Sequence, residues 1–71
     1  MSVAKIVELM ASSDKGFDDA LQQLISRAVK TIRHVTGVNV LSQKVKLKEG
    51  KIVEYRINAK VAFEIEDTKK K

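Results

Sequence analysis

The stretch 53–66, VEYRINAKVAFEIE, decides the fold of this chain. Val53, Tyr55, Ile57, Ala59, Val61, Phe63 and Ile65 alternate with Glu54, Arg56, Asn58, Lys60, Ala62, Glu64 and Glu66, and only Ala62 breaks the polar half of the pattern. A period of two sustained over such a run is a β-strand with one face turned to a core. Its fourteen residues reach on the order of 46 Å at about 3.3 Å each. Whatever packs on the apolar face must cover that length.

The cover lies upstream. Over about residues 14–35 the period lengthens: Phe17, Ala20, Leu21, Leu24, Ile25, Ala28, Ile32 and Val35 recur at steps of three and four, an apolar stripe on a helix. Ser12 or Ser13 is placed to cap its first turn. Asp14, Asp18 and Asp19 stand near the start and Arg27, Lys30, Arg33 and His34 toward the end, which complements the helix dipole. Gly37 follows as the residue best suited to stop the helix. Some twenty helical residues at 1.5 Å each cover only about 30 Å. The helix is therefore shorter than the strand it protects, and other copies of the chain are the simplest source of the missing cover.

Two further strands complete the pattern. VAKIVELM at 3–10 is short and rich in Val, Ile, Leu and Met, although Lys5 shares a face with Val7 and Leu9, and Glu8 shares one with Ile6 and Met10. VNVLSQKVKLK at 38–48 alternates with a slip of phase: Val38 and Val40 are even, Val45 and Leu47 odd. A bulge or bend near Ser42-Gln43 reconciles the halves. Glu49-Gly50 then forms a two-residue turn into the last strand. The expected architecture is α+β: β-α-β-β, a three-stranded antiparallel sheet with one helix packed on one face, in a homo-oligomeric shell. Residues 1–67 form one domain, and 68–71 a basic tail expected to be disordered.

Composition narrows the function. Seventy-one residues make a domain that buries only about 60% of its unfolded surface. Such domains lean on disulfides, metals or association. With no cysteine and one histidine, association is what is left. Three of the net charges of +5 come from Lys69, Lys70 and Lys71, so the remainder is only +2. That run reads as a solvated end or, alternatively, a nucleic-acid arm, but three aromatics without stacking spacing make nucleic acid an unexpected partner. No basic stretch followed by an apolar run opens the chain, and no apolar stretch nears the roughly 18 residues of a membrane span, so a cytoplasmic location is expected.

Catalytic patterns are missing from the sequence. His34 has no nucleophile or acid at a recognisable spacing, and reads as a solvent-facing helix-end residue. The three glycines form no phosphate loop, and Asp18-Asp19 suits a helix first turn. A non-enzymatic protein is expected, with no metal site. The candidate for binding is the polar row Arg56, Asn58, Lys60, Glu64 and Glu66, either a solvated sheet face or the wall of a ligand site between subunits.

Several strings, in this order and spacing, resemble the dodecins: Ser12-Ser13 before the helix, Arg27-Ala28 within it, Thr31-Ile32-Arg33 near its end, and the closing run from Lys60 to Asp67. The resemblance spans about residues 3–67. It implies a hollow homododecamer that stores flavin, FMN or riboflavin, held in pairs between subunits. In flavin-binding members a tryptophan opening the second strand stacks on the ring, and a glutamine on the third bonds its polar edge. The matching positions here are Gly37 and Arg56, and Ser42 falls near the floor of the family's pocket. Cofactor-binding candidates are thus Gly37, Ser42 and Arg56. Ring stacking contributes roughly 0.5–1.5 kcal/mol beyond area burial, and this chain has no tryptophan to supply it. The alternative reading is a structural dodecamer that binds no flavin and takes another ligand, an ion or a protein partner.

Overall fold

The structure is a computed structural model that describes residues 3–65. Its elements are β1 (Val3–Ser13), α1 (Phe17–Thr31), β2 (Val35–Lys48) and β3 (Lys51–Ile65). The sheet is antiparallel with order β1-β3-β2, so the strand of cleanest alternation lies in the middle. β1 pairs with β3 from Val3 opposite Ile65 to Ser13 opposite Tyr55, without a register shift. The expected basic tail lies outside the described residues.

The core is a helix-on-sheet contact built from small residues. Ala20, Leu24 and Ala28 repeat at four-residue steps on α1 and are buried against Ile57, Ala59 and Val61 of β3. Three alanines at the contact let the helix approach the sheet closely. Val7, Leu9 and Ala11 of β1, with Val35 and Val38 near the start of β2, pack around this centre.

Three boundaries differ from the sequence expectation. α1 begins after Gly16, whose carbonyl accepts from the Ala20 N–H at 3.0 Å, and no side chain caps it. Ser13 instead ends β1: its hydroxyl accepts from the Lys15 N–H at 2.9 Å and donates to Asp19 Oδ2 at 2.6 Å, tying strand end to helix start. Gly37 does not stop the helix. α1 closes at Thr31, the Ile32 N–H donates to the Ala28 carbonyl at 2.8 Å, and His34 takes the positive φ of 62°. Val35 then pairs with Phe63, and ladder bonding claims residues 35–37 for β2.

The phase slip in β2 is a bulge. The register shifts between Val40 and Ser42, leaving Leu41 as the extra residue, one place before the expected site. Glu49 and Gly50 take φ of 52° and 78°, the paired positive angles of a tight hairpin turn.

α1 has fifteen residues and β3 has fifteen, so the helix spans about 22 Å against about 50 Å of strand. The ends of the apolar row are open accordingly: Val53 is 42% and Ile65 48% exposed, while Ile57, Ala59 and Val61 are at most 1% exposed. Val45, Leu47 and Ile52 at the hairpin end are exposed as well.

Candidate functional site

The β3 residues buried under α1 are odd-numbered, so its even-numbered residues lie on the opposite, outer face. Directly paired residues share a face, which lets the register map that surface rung by rung. Ile6, Ala62 and Gly37 form one rung, Glu8, Lys60 and Asn39 the next, then Met10, Asn58 and Ser42, and then Ser12, Arg56 and Lys44. Lys46 opposite Glu54 continues toward the turn.

This map separates the three candidates from the sequence. Ser42 is opposite Asn58, two residues along β3 from Arg56, and the two belong to one patch. Gly37 is opposite Ala62, six residues from Arg56, or about 20 Å within one chain. It lies instead in a shallow apolar depression of about 300 Å³ with Ile6, Val38, Asn39, Lys60 and Ala62. A Cβ added at Gly37 would meet nothing within 4 Å, so the space above it is open. Glu66 of the polar row lies outside the described residues.

The Arg56 patch contains groups that the sequence reading did not assign to it. Arg56 reaches back along its own strand, with Nε 3.2 Å and Nη2 3.1 Å from Glu54 Oε1. The Ser12 hydroxyl bonds the same carboxylate, and Arg56 and Lys46 add favourable charge. The Ser12 bond above all holds the Glu54 carboxyl below its ordinary range, against a smaller opposing effect of burial. Lys44, Lys46 and Ser42 reach this face because of the bulge at Leu41, which inverts the phase of β2. The slip between Val40 and Val45 in the sequence was the available signal, once resolved to the right residue.

Asp19 is the other carboxylate with a clear cause for its acidity. Hydrogen bonds from Ser13 and from Gln23 Nε2, the latter at 2.7 Å, lower it, and Lys15 assists. This cluster fastens the β1–α1 connection and stands apart from the outer face. Among the described residues no three His, Asp or Glu side chains converge on a metal-sized space, and no helix is long and apolar enough to cross a membrane.

A dodecin family model matches residues 3–66. The dodecin of Thermus thermophilus is 35% identical over 66 residues, covering 93% of this chain and 96% of the relative. Among solved structures, a tryptophan-to-phenylalanine variant of T. thermophilus dodecin superposes with a TM-score of 0.88 at 33% identity, over 94% of this chain and 100% of that one. Dodecin from Streptomyces davaonensis gives 0.87 at 23% identity, over 93% and 97%, a likeness of fold. The Thermus protein thus carries a tryptophan, a residue type absent from this chain.

Proposed function

The chain belongs to the dodecin family, and on that premise we propose that it is a non-enzymatic small-ligand binding and storage protein that assembles as a hollow homododecamer. Dodecins as a family are small flavin-binding dodecamers, and the ligand class proposed here is a flavin, FMN or riboflavin. The reading is carried by one observation: the family match runs over the whole β-α-β-β unit, whose apolar row on β3 is longer than the helix that covers it. Val53 and Ile65 at its two ends find their cover in neighbouring subunits. The proposed ligand positions are Gly37, Ser42 and Arg56. Because Gly37 and Arg56 lie far apart in one chain, a site using both takes them from different copies.

Native mass measurement together with flavin fluorescence tests this reading. The expected result is a species of twelve 7.9 kDa chains that quenches added FMN or riboflavin at micromolar protein. A monomer in solution would sink the cage, and a dodecamer that quenches neither flavin would sink the flavin.

The second reading, a dodecameric assembly without flavin, has its own support. No tryptophan exists to stack on a ring, and Gly37 offers open space where the family's flavin binders place that side chain. Assembly with no quenching is the outcome that selects it.

A further inference from the structure

Lys44 and Arg56 are direct partners in the β2–β3 ladder, so two cations stand side by side on the outer face. Directly opposed side chains have Cβ atoms about 4.5–5.5 Å apart, and like charges there are destabilising. The next rung adds Lys46 opposite Glu54. In these two ladder pairs one carboxylate faces three cations, and Asp14 lines the same depression as Lys46 and Glu54, so the positive excess is centred on Lys44 and Arg56. The neighbouring Lys60 is opposite Glu8, so the excess does not continue along the sheet.

The bulge at Leu41 produces this grouping. Without it, Lys44 and Lys46 would share the helix side with Val40, and Val45 would turn outward. Keeping lysines out of the core is sufficient reason for a bulge. It does not explain why one of them stands opposite an arginine rather than an acid. The Arg56–Glu54 pair uses Nε and Nη2 of the guanidinium, which leaves Nη1 outside that contact. Ser42, one rung away, adds a hydroxyl donor on the same face.

We propose that Ser42, Lys44 and Arg56 form a seat for a phosphate group of a small phosphorylated ligand. The guanidinium supplies planar, directional donors, Lys44 a mobile point charge, and Ser42 a neutral hydrogen bond, a set suited to several oxygens on one anion. A bound phosphate relieves the repulsion between Lys44 and Arg56, so part of the ligand's stabilisation is the removal of a cost present in the empty protein. The seat rests on the proposed function only in sharing Ser42 and Arg56 with it, and it stands whether or not the ligand carries a flavin ring.

The intact protein is titrated with inorganic pyrophosphate, FMN and riboflavin, by calorimetry and by melting temperature in low salt. Pyrophosphate is expected to bind, to raise the melting temperature, and to weaken as sodium chloride rises. Lys44→Ala is expected to cut pyrophosphate binding tenfold or more while raising the melting temperature of the ligand-free protein. A merely structural lysine would not move these two readouts in opposite directions. Arg56→Gln is expected to cut binding similarly. If it fails to fold, Lys44→Ala, with its exposed side chain, decides alone. The seat is overturned if pyrophosphate does not bind, or if Lys44→Ala binds it as the unaltered protein does. FMN binding well ahead of riboflavin supports the seat and identifies the phosphate as a flavin's. Pyrophosphate bound with neither flavin supports the seat and removes the flavin reading, whereas both flavins bound without pyrophosphate does the reverse.

Discussion

Phe17 and Tyr55 meet edge to face, with ring centroids 5.2 Å apart and planes inclined at 80°. Phe17 is the first residue of α1 and Tyr55 lies on the apolar row of β3. The pair marks where the helix stops protecting the strand, since Val53, the next residue of that row, is 42% exposed. Removing one ring forfeits a pair worth roughly 0.5–1.5 kcal/mol along with part of a side chain's burial. Phe17→Ala is expected to destabilise the protein by about 2 kcal/mol, read from denaturant midpoints at one fixed protein concentration. An unchanged midpoint would show that the aromatic contact contributes little.

Leu24 is the largest of the three α1 side chains buried in the core, and it is 3% exposed between Ala20 and Ala28. Leu24→Ala leaves a cavity that alanine neighbours cannot fill, and is expected to cost about 2–5 kcal/mol. In a domain this small that is a large share of the total. Loss of cooperative melting is the expected observation.

Assembly is tested at the hairpin end. Leu47 and Ile52 are opposite one another and are 58% and 49% exposed. Val45 and Val53 at the same end of the hairpin are exposed as well. Charged residues at Leu47 and Ile52 would cost little in an isolated chain, because water already reaches both. In an assembly that buries them, Leu47→Asp with Ile52→Asp is expected to reduce the native mass to smaller species. A dodecamer that tolerated the pair would place the subunit contacts elsewhere.

Acid stability follows from two carboxylates. Asp19 is held below its ordinary 3.8 chiefly by the Ser13 hydroxyl, and Glu54 below its ordinary 4.5 chiefly by Ser12. A depressed carboxyl contributes stability that is present above its unfolded value and is lost as pH falls through its folded value. The melting temperature is thus expected to decline below about pH 4.5 and to continue falling below 3.8. Asp19→Asn and Glu54→Gln should each flatten that acid limb while lowering the melting temperature at pH 7. A limb of unchanged slope in both variants would assign acid sensitivity to other groups.

Gly37 is the position at which the proposed flavin site can be tested for ring stacking. It lies inside β2, a Cβ added there meets nothing within 4 Å, and an aromatic residue suits a strand. Gly37→Trp is expected to fold, and to raise affinity for riboflavin and FMN, with mutual quenching of indole and flavin fluorescence. Equal affinity in the two proteins would mean that ring stacking at this position is not the missing element.

Much of the fold was legible because period and length are properties of the chain itself. The alternation from Val53 to Ile65 identified β3 and its core face, and the steps from Phe17 to Ala28 identified α1. Glu49-Gly50 announced the hairpin. Helix ends were less legible, since several residues near each end are chemically suited to a boundary. Ser12, Ser13 and Gly37 all qualified, but Gly16 and His34 took those places once β1 and β2 had claimed their ladder partners.

The sequence by itself determined the class of the fold: one helix too short for the strand it covers, and no disulfide or thiolate to compensate. Only the tertiary structure decided which outer-face residues stand together. The bulged residue Leu41, at one of three register shifts between β2 and β3, inverts the phase of β2 from Ser42 to Lys46, and so brings Ser42, Lys44 and Lys46 beside Arg56. The pairing across strands also puts Gly37 six residues away along the ladder. Which face a residue belongs to is local and periodic, whereas which residue it stands beside depends on register, and register is set by contacts between strands.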